Sequence, residues 1–277
     1  AAAPLRAAPA PPKPKPRRLQ RAAEKTPVRR AGAAPAIRPV GGAPMLAIVI
    51  DDLGFDPRRT ERLAAMPGPM SFAFLPNAGP VAGQARMAEA AGHAVMLHMP
   101  MEPQGRENPG AQALWLGDDA AAIRKKLMTA LDAVPGAVGM NNHMGSLLTA
   151  SAAHMGVVAD VLRARGLIFL DSRTGPRAIA AEVAAARGGA WAARDVFLDD
   201  DARRSAIDRQ LRAAERLAHR RGYAVAIGHP YDDTIAALRA FLPAARRRGI
   251  KLVSIEAIAA LNARDPQLIA EARTSTR

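Results

Sequence analysis

The chain has no cysteine. That excludes disulfides and any metal site built from thiolates, and leaves the redox compartment open, because exported proteins also do without cysteine. Aromatic residues make up only 4% of the 277 residues. Few rings are available to stack on bases, and no nucleic-acid motif is present, so no nucleic-acid partner is expected. No apolar run is long enough to cross a bilayer. The Gly-rich phosphate patterns G-x-G-x-x-G and G-x-x-x-x-G-K-[ST] are absent. The sequence does not begin with Met, which leaves room for a signal peptide or membrane tether upstream of residue 1.

The charge is lopsided. Of the formal +14, residues 1–43 supply +9, from ten Lys or Arg against the single acid Glu24. This segment is Ala/Pro-rich, as in PAPPKPKPRR at 9–18. Such a composition cannot bury a core and favours extended states. It reads as a disordered basic linker, either a solvated spacer or an arm for an anionic surface. The folded part is expected over 44–265, with a tail at 266–277.

Within that part, five apolar runs each end in a polar cluster. Leu46–Ile50 runs into Asp51 and Asp52, and Ala94–Leu97 into His98. Ala137–Met140 runs into Asn141, Asn142 and His143. Leu167–Leu170 runs into Asp171, Ser172 and Arg173, and Tyr223–Gly228 into His229. Short Val/Ile-rich runs separated by helical patterns read as buried parallel strands. In a βα architecture all strand C-termini point to one face, so these clusters converge.

Helical stripes fall between the runs, for example Ile123, Leu127 and Leu131, or Ile207, Leu211, Ala214 and Leu217. Residues 102–117 form a long irregular loop rich in Pro and Gly. The pattern gives about eight βα units, which suits a closed barrel or an open doubly wound sheet.

Two adjacent carboxylates at a strand end can divide labour, one binding a metal and the other acting as a base. One carboxylate with two imidazoles, His98 and His143, suits Zn²⁺, with Ni²⁺, Co²⁺ or Fe²⁺ as alternatives. Glu102 is a reserve ligand. His229 can serve as a general acid, with Asp171 to orient it, and Arg173 can bind an anionic group. The runs Asp118-Asp119, Asp199-Asp200-Asp201 and Asp232-Asp233 precede helices and read as caps. His93, His154 and His219 read as solvated. Trp115 can stack on a sugar or pack.

Six blocks in order carry a resemblance: IVIDDLG (48–54), LHMPMEP (97–103), NNHMGS (141–146), FLDSRT (169–174), DVFLD (195–199) and AIGHPY (226–231). Together they resemble the divergent polysaccharide deacetylase family of the NodB-like carbohydrate esterases. The resemblance implies a distorted (β/α) barrel of about seven strands. It implies a divalent metal and removal of acetyl from an N- or O-acetylated polysaccharide. By position, Asp51 would be the base, Asp52 and His98 metal ligands, His229 the general acid and Asp171 its tuning acid. Where the family has a second ligand His, this chain has Glu102, so His143 is expected as the third ligand. Asn142, Arg173 and Glu102 are expected at the substrate. The implied partner is a peptidoglycan-like glycan, and the implied setting the bacterial periplasm or cell envelope. The competing expectation is a barrel of weak or no activity that binds glycan or a cell-wall partner. A phosphoesterase fits less well, because such sites gather more Arg, Lys or a second metal.

Overall fold

The computed structural model describes residues 42–264. Apart from residues 42 and 43, the basic segment lies outside the described residues, as does the tail at 266–277. Strands and helices alternate: β1 (Met45–Leu53), α1 (Pro57–Ala64), β2 (Ser71–Phe74), α2 (Val81–Ala90), β3 (Ala94–Met101), α3 (Ala120–Ala133), β4 (Ala137–Met144), α4 (Ala152–Ala164) and β5 (Ile168–Asp171). Then follow α5 (Ala180–Ala186), β6 (Trp191–Ala193), β7 (Val196–Phe197), α6 (Arg204–Arg221), β8 (Tyr223–Gly228), α7 (Asp232–Arg247), β9 (Lys251–Val253) and α8 (Ile255–Asn262).

All strand pairs are parallel, in the order β6-β5-β4-β3-β2-β1-β8-β7, with β9 also on β1. A strand has two edges, and β8 takes one edge of β1 over residues 45–50. The other edge is therefore shared: β9 pairs with residues 45–47 and β2 with residues 49–53. The two ends of the sheet meet through one segment. Arg194 N donates to Asp171 O at the end of β5, and Asp195 N donates to Val225 O on β8, each at 2.9 Å. The fold is a distorted (β/α) barrel. The strands beyond the expected seven or so are short: β6 and β9 have three residues each and β7 has two.

Period-two alternation sorts the strand residues. Leu46, Ile48 and Ile50 pack outward under the helices, whereas Ala47 and Val49 belong to a second cluster with Met96, Leu170, Val225, Ile227 and the α8 residues Ile255 and Ile258. That second cluster fills the barrel. Asp51, His98 and His229 continue the inward series of Val49, Met96 and Ile227 near the C-terminal ends of β1, β3 and β8. Asp171 follows the outward parity of Phe169 instead.

The helices start and stop as their sequences require. Asp56 caps α1 by accepting from Arg58 N, with Pro57 at the first position, and Asp119 caps α3 by accepting from Ala122 N. Gly139 is needed for packing: a Cβ there would sit 2.4 Å from Ile168 O across the β4–β5 pair.

Candidate metal centre and active site

Asp51 and Asp52 are adjacent, so a regular strand would send them to opposite faces. A bulge prevents that. Between Ile50 and Leu53, three steps along β1 oppose two along β2, and Asp52 takes a φ of 56°. A non-glycine residue in the left-handed region is strained and persists only where its surroundings hold it there. Here the strain turns the Asp52 carboxylate back towards the mouth, beside Asp51. Met144, just past the polar cluster of β4, and Arg173, the last residue of the cluster after β5, have φ of 53° and 50°.

Three ligand atoms meet at this mouth. Asp52 Oδ1 lies 2.9 Å from His143 Nδ1 and 3.2 Å from His98 Nε2, and the two imidazole nitrogens are 3.3 Å apart. Tetrahedral bonds of 2.0–2.2 Å to one ion place ligand atoms about 3.3–3.6 Å apart. Asp52 Oδ1 is shut off from solvent and, despite these close approaches, has no partner of hydrogen-bond geometry. A cation would satisfy it. Two imidazoles and one carboxylate are also a donor set suited to Zn²⁺ and its neighbours.

The surrounding charges reinforce this. Burial pushes the Asp51 carboxyl up, against the pull of His98, His229 and the Asn141 hydrogen bond. Burial also opposes ionisation of Asp52, but the His143 and His98 imidazoles close against it outweigh that and hold the carboxyl well below the usual range. His98 is raised: burial disfavours its charge, and the Asp51 and Asp52 carboxylates override that.

Across the mouth, His229 Nε2 is 3.8 Å from Asp52 Oδ2. The partner of its other nitrogen corrects the sequence reading. His229 Nδ1 contacts Asp199 Oδ1 at 2.9 Å, and Asp199 Oδ2 accepts from His229 N and Thr234 Oγ1. Asp171 is not the tuning acid, because its strand parity turns it away from the barrel. There it accepts from Arg173 N and Ala181 N, and burial raises its pKa. Burial alone would lower His229, but the Asp199 hydrogen bond and the nearby carboxylates push it up to about 9.

The cavity over these groups holds about 500 Å³, and its wall includes Asp51, His98, Asn142, His143, Arg173 and His229. Glu102 is not in that wall. Its Oε2 accepts from Leu116 N and its backbone pairs with Leu114, so it pins the 102–117 loop and stands outside the Asp52–His98–His143 cluster. Asn142 reaches the wall but is bound locally, donating to Met144 O and Thr174 Oγ1 and accepting from Ser172 N. Arg173 is exposed on the rim, its guanidinium donating to Arg194 O. Trp115 is partly exposed and outside the wall.

Other readings change as well. His93 is buried, not solvated: it accepts from Met70 N and its other nitrogen meets Ala64 O. His154 bonds to Ser151 Oγ and Leu116 O. Two functional positions escaped the sequence reading. Asp199 was hidden in an acidic run that looked like a cap, although it ends a short apolar stretch like the other site residues. Asn141 lies two residues before His143, which on one strand is the same face.

A family model described as divergent polysaccharide deacetylase matches residues 48–259. The chain belongs to that family. An uncharacterized protein of Haemophilus influenzae is 39% identical over 197 residues, covering 71% of this chain and 70% of that protein. The structure of an uncharacterized protein from Agrobacterium tumefaciens C58 superposes with a TM-score of 0.76 at 27% identity, covering 80% of this chain and 92% of that one. A Bacillus anthracis structure described as a CE4 family pseudoenzyme superposes with a TM-score of 0.51 at 12% identity, covering 78% of this chain and 66% of that one. That last likeness concerns the fold. The sequence blocks quoted above contain Asp51, Asp52, His98, Asn141, His143, Asp199 and His229.

Proposed function

We propose that this chain is a metal-dependent deacetylase of an N- or O-acetylated glycan, acting in the bacterial cell envelope. One observation carries the reading. Buried Asp51 stands beside the Asp52–His98–His143 triad, with the His229–Asp199 couple across the same cavity. A fold shared with a pseudoenzyme cannot decide for activity, but a binder needs neither a buried base nor a held imidazolium.

A divalent ion held by Asp52, His98 and His143 would supply Lewis acidity to the acetyl carbonyl and acidity to water. The chain's own residues do the rest. Asp51 accepts the proton of the attacking water as its oxygen bonds to the acetyl carbon. His229, held protonated by Asp199, gives its Nε2 proton to the departing amine or alcohol as the C–N or C–O bond breaks. Acetate and the free sugar group leave. The raised Asp51 pKa is no obstacle, because positive charge beside it favours the carboxylate.

The experiment is acetate release from N-acetylated chitooligosaccharides and O-acetylated peptidoglycan fragments by the Zn²⁺-loaded protein, with Asp51→Asn beside it. Release by the wild type and a loss of at least about 100-fold in the variant support the reading. Glycan binding without acetate release from any of these would replace it with the binder.

A further inference from the structure

Asn141 is fully buried at the centre of the site, and its amide touches three groups. Nδ2 donates to Asp51 Oδ1 at 2.7 Å and to Ser172 Oγ at 3.1 Å, and Oδ1 meets His98 Nδ1 at 2.8 Å. An amide has donors only on nitrogen and acceptors only on oxygen. As a base Asp51 must be ionised, and an ionised carboxylate only accepts, so in that state the NH₂ faces Asp51. Rotating the amide would set two acceptors 2.7 Å apart. The oxygen therefore faces His98, and His98 Nδ1 must carry the hydrogen. In the neutral ring Nε2 is then bare, and Nε2 is the atom that meets Asp52 Oδ1 and His143 Nδ1.

We infer that Asn141 is the positioning residue of this centre: one side-chain amide both aims Asp51 and fixes the His98 tautomer that can bind a divalent cation. The inference rests on the reading of Asp52, His98 and His143 as a cation site. An ordinary histidine ligand is oriented by a carboxylate or backbone carbonyl on its second nitrogen. Here one amide does that and also reaches the base, so the two functions are linked. His98 Nδ1 has no alternative acceptor among the described hydrogen bonds. The neighbouring Asn142 cannot substitute, being committed to Met144, Thr174 and Ser172.

The two roles separate by substitution. Asn141→Asp keeps an acceptor for His98 but turns a carboxylate on Asp51. Asn141→Leu removes both contacts at similar size. Calorimetric titration with Zn²⁺ alone should give Asn141→Asp an affinity at least equal to the wild type, and Asn141→Leu one about 10- to 100-fold weaker. In the Zn²⁺-loaded Asn141→Asp protein, kcat for acetate release should fall about 100-fold with KM little changed.

Long-range ¹⁵N–¹H spectra of the unaltered protein test the tautomer directly, with Zn²⁺ and, at alkaline pH, without it. The expected spectrum places the His98 proton on Nδ1 in both. A proton on Nε2, or wild-type Zn²⁺ affinity in a folded Asn141→Leu protein, overturns the inference. If a variant fails to fold, the spectra of the unaltered protein decide. If the wild type takes up no Zn²⁺, the cation reading of the site falls, and the metal-free spectrum still decides what Asn141 does.

Discussion

His229 Nδ1 is 2.9 Å from Asp199 Oδ1, and the other oxygen of the same carboxylate accepts from the His229 backbone. The imidazole is thus held by its ring and its main chain at once. Asp199→Asn should lower the His229 pKa from about 9 in the metal-free protein, as followed by NMR. A folded-state pKa above the ordinary ~6.5 means that the couple stabilises fully below that value. Its contribution is lost as the pH rises through about 9. In the loaded enzyme, the variant should lose about 100-fold in kcat. An unmoved His229 titration would mean that Asp199 is only a structural acceptor.

Asp171→Asn is the counterpart. This carboxylate lies outside the barrel and accepts from Arg173 N and Ala181 N. Its loss should cost about 1–3 kcal/mol in denaturant unfolding, the range for a buried hydrogen-bonded group. The His229 titration should stay where it is. A shift comparable to that of Asp199→Asn would restore Asp171 as the tuning acid.

Metal content tests the triad. His98→Ala and His143→Ala should each bind Zn²⁺ at least about 100-fold more weakly, because one of three protein ligands is gone. Glu102→Gln should retain wild-type affinity, since Glu102 serves the loop through Leu116 N. Elemental analysis after dialysis distinguishes these outcomes, and unchanged occupancy in both His variants would rule out the ligand assignment.

Gly54 follows the Asp52 bulge with a φ of +122°, and a Cβ there would come within 2.7 Å of Ala78 Cβ and Val81 Cγ1. Gly54→Ala therefore combines backbone strain with overpacking. It should destabilise by about 2–4 kcal/mol in thermal unfolding. Because it disturbs the turn that presents Asp52, Zn²⁺ affinity should fall with it. A stable variant with intact affinity would show that the turn is not what sets Asp52.

Alternation and helical spacing in the sequence were enough to specify a parallel βα fold with its polar residues on one mouth, because both patterns are local. Asp51, His98, His143 and His229 were legible for the same reason: each ends an apolar run, and parallel strands end together. Three things needed the tertiary structure. The Asp52 bulge depends on pairing with β2, which no local pattern encodes. The partner of His229 was settled by strand parity and by the segment joining β6 to β7, which brings Asp199 to β8 and leaves Asp171 outside. Asn141 acquired its place only once the sheet had brought the ends of β1, β3 and β4 to one mouth. A side chain's hydrogen-bond partners belong to neighbouring strands distant in the chain, so sequence can nominate the groups at a strand end but cannot say which of them touch.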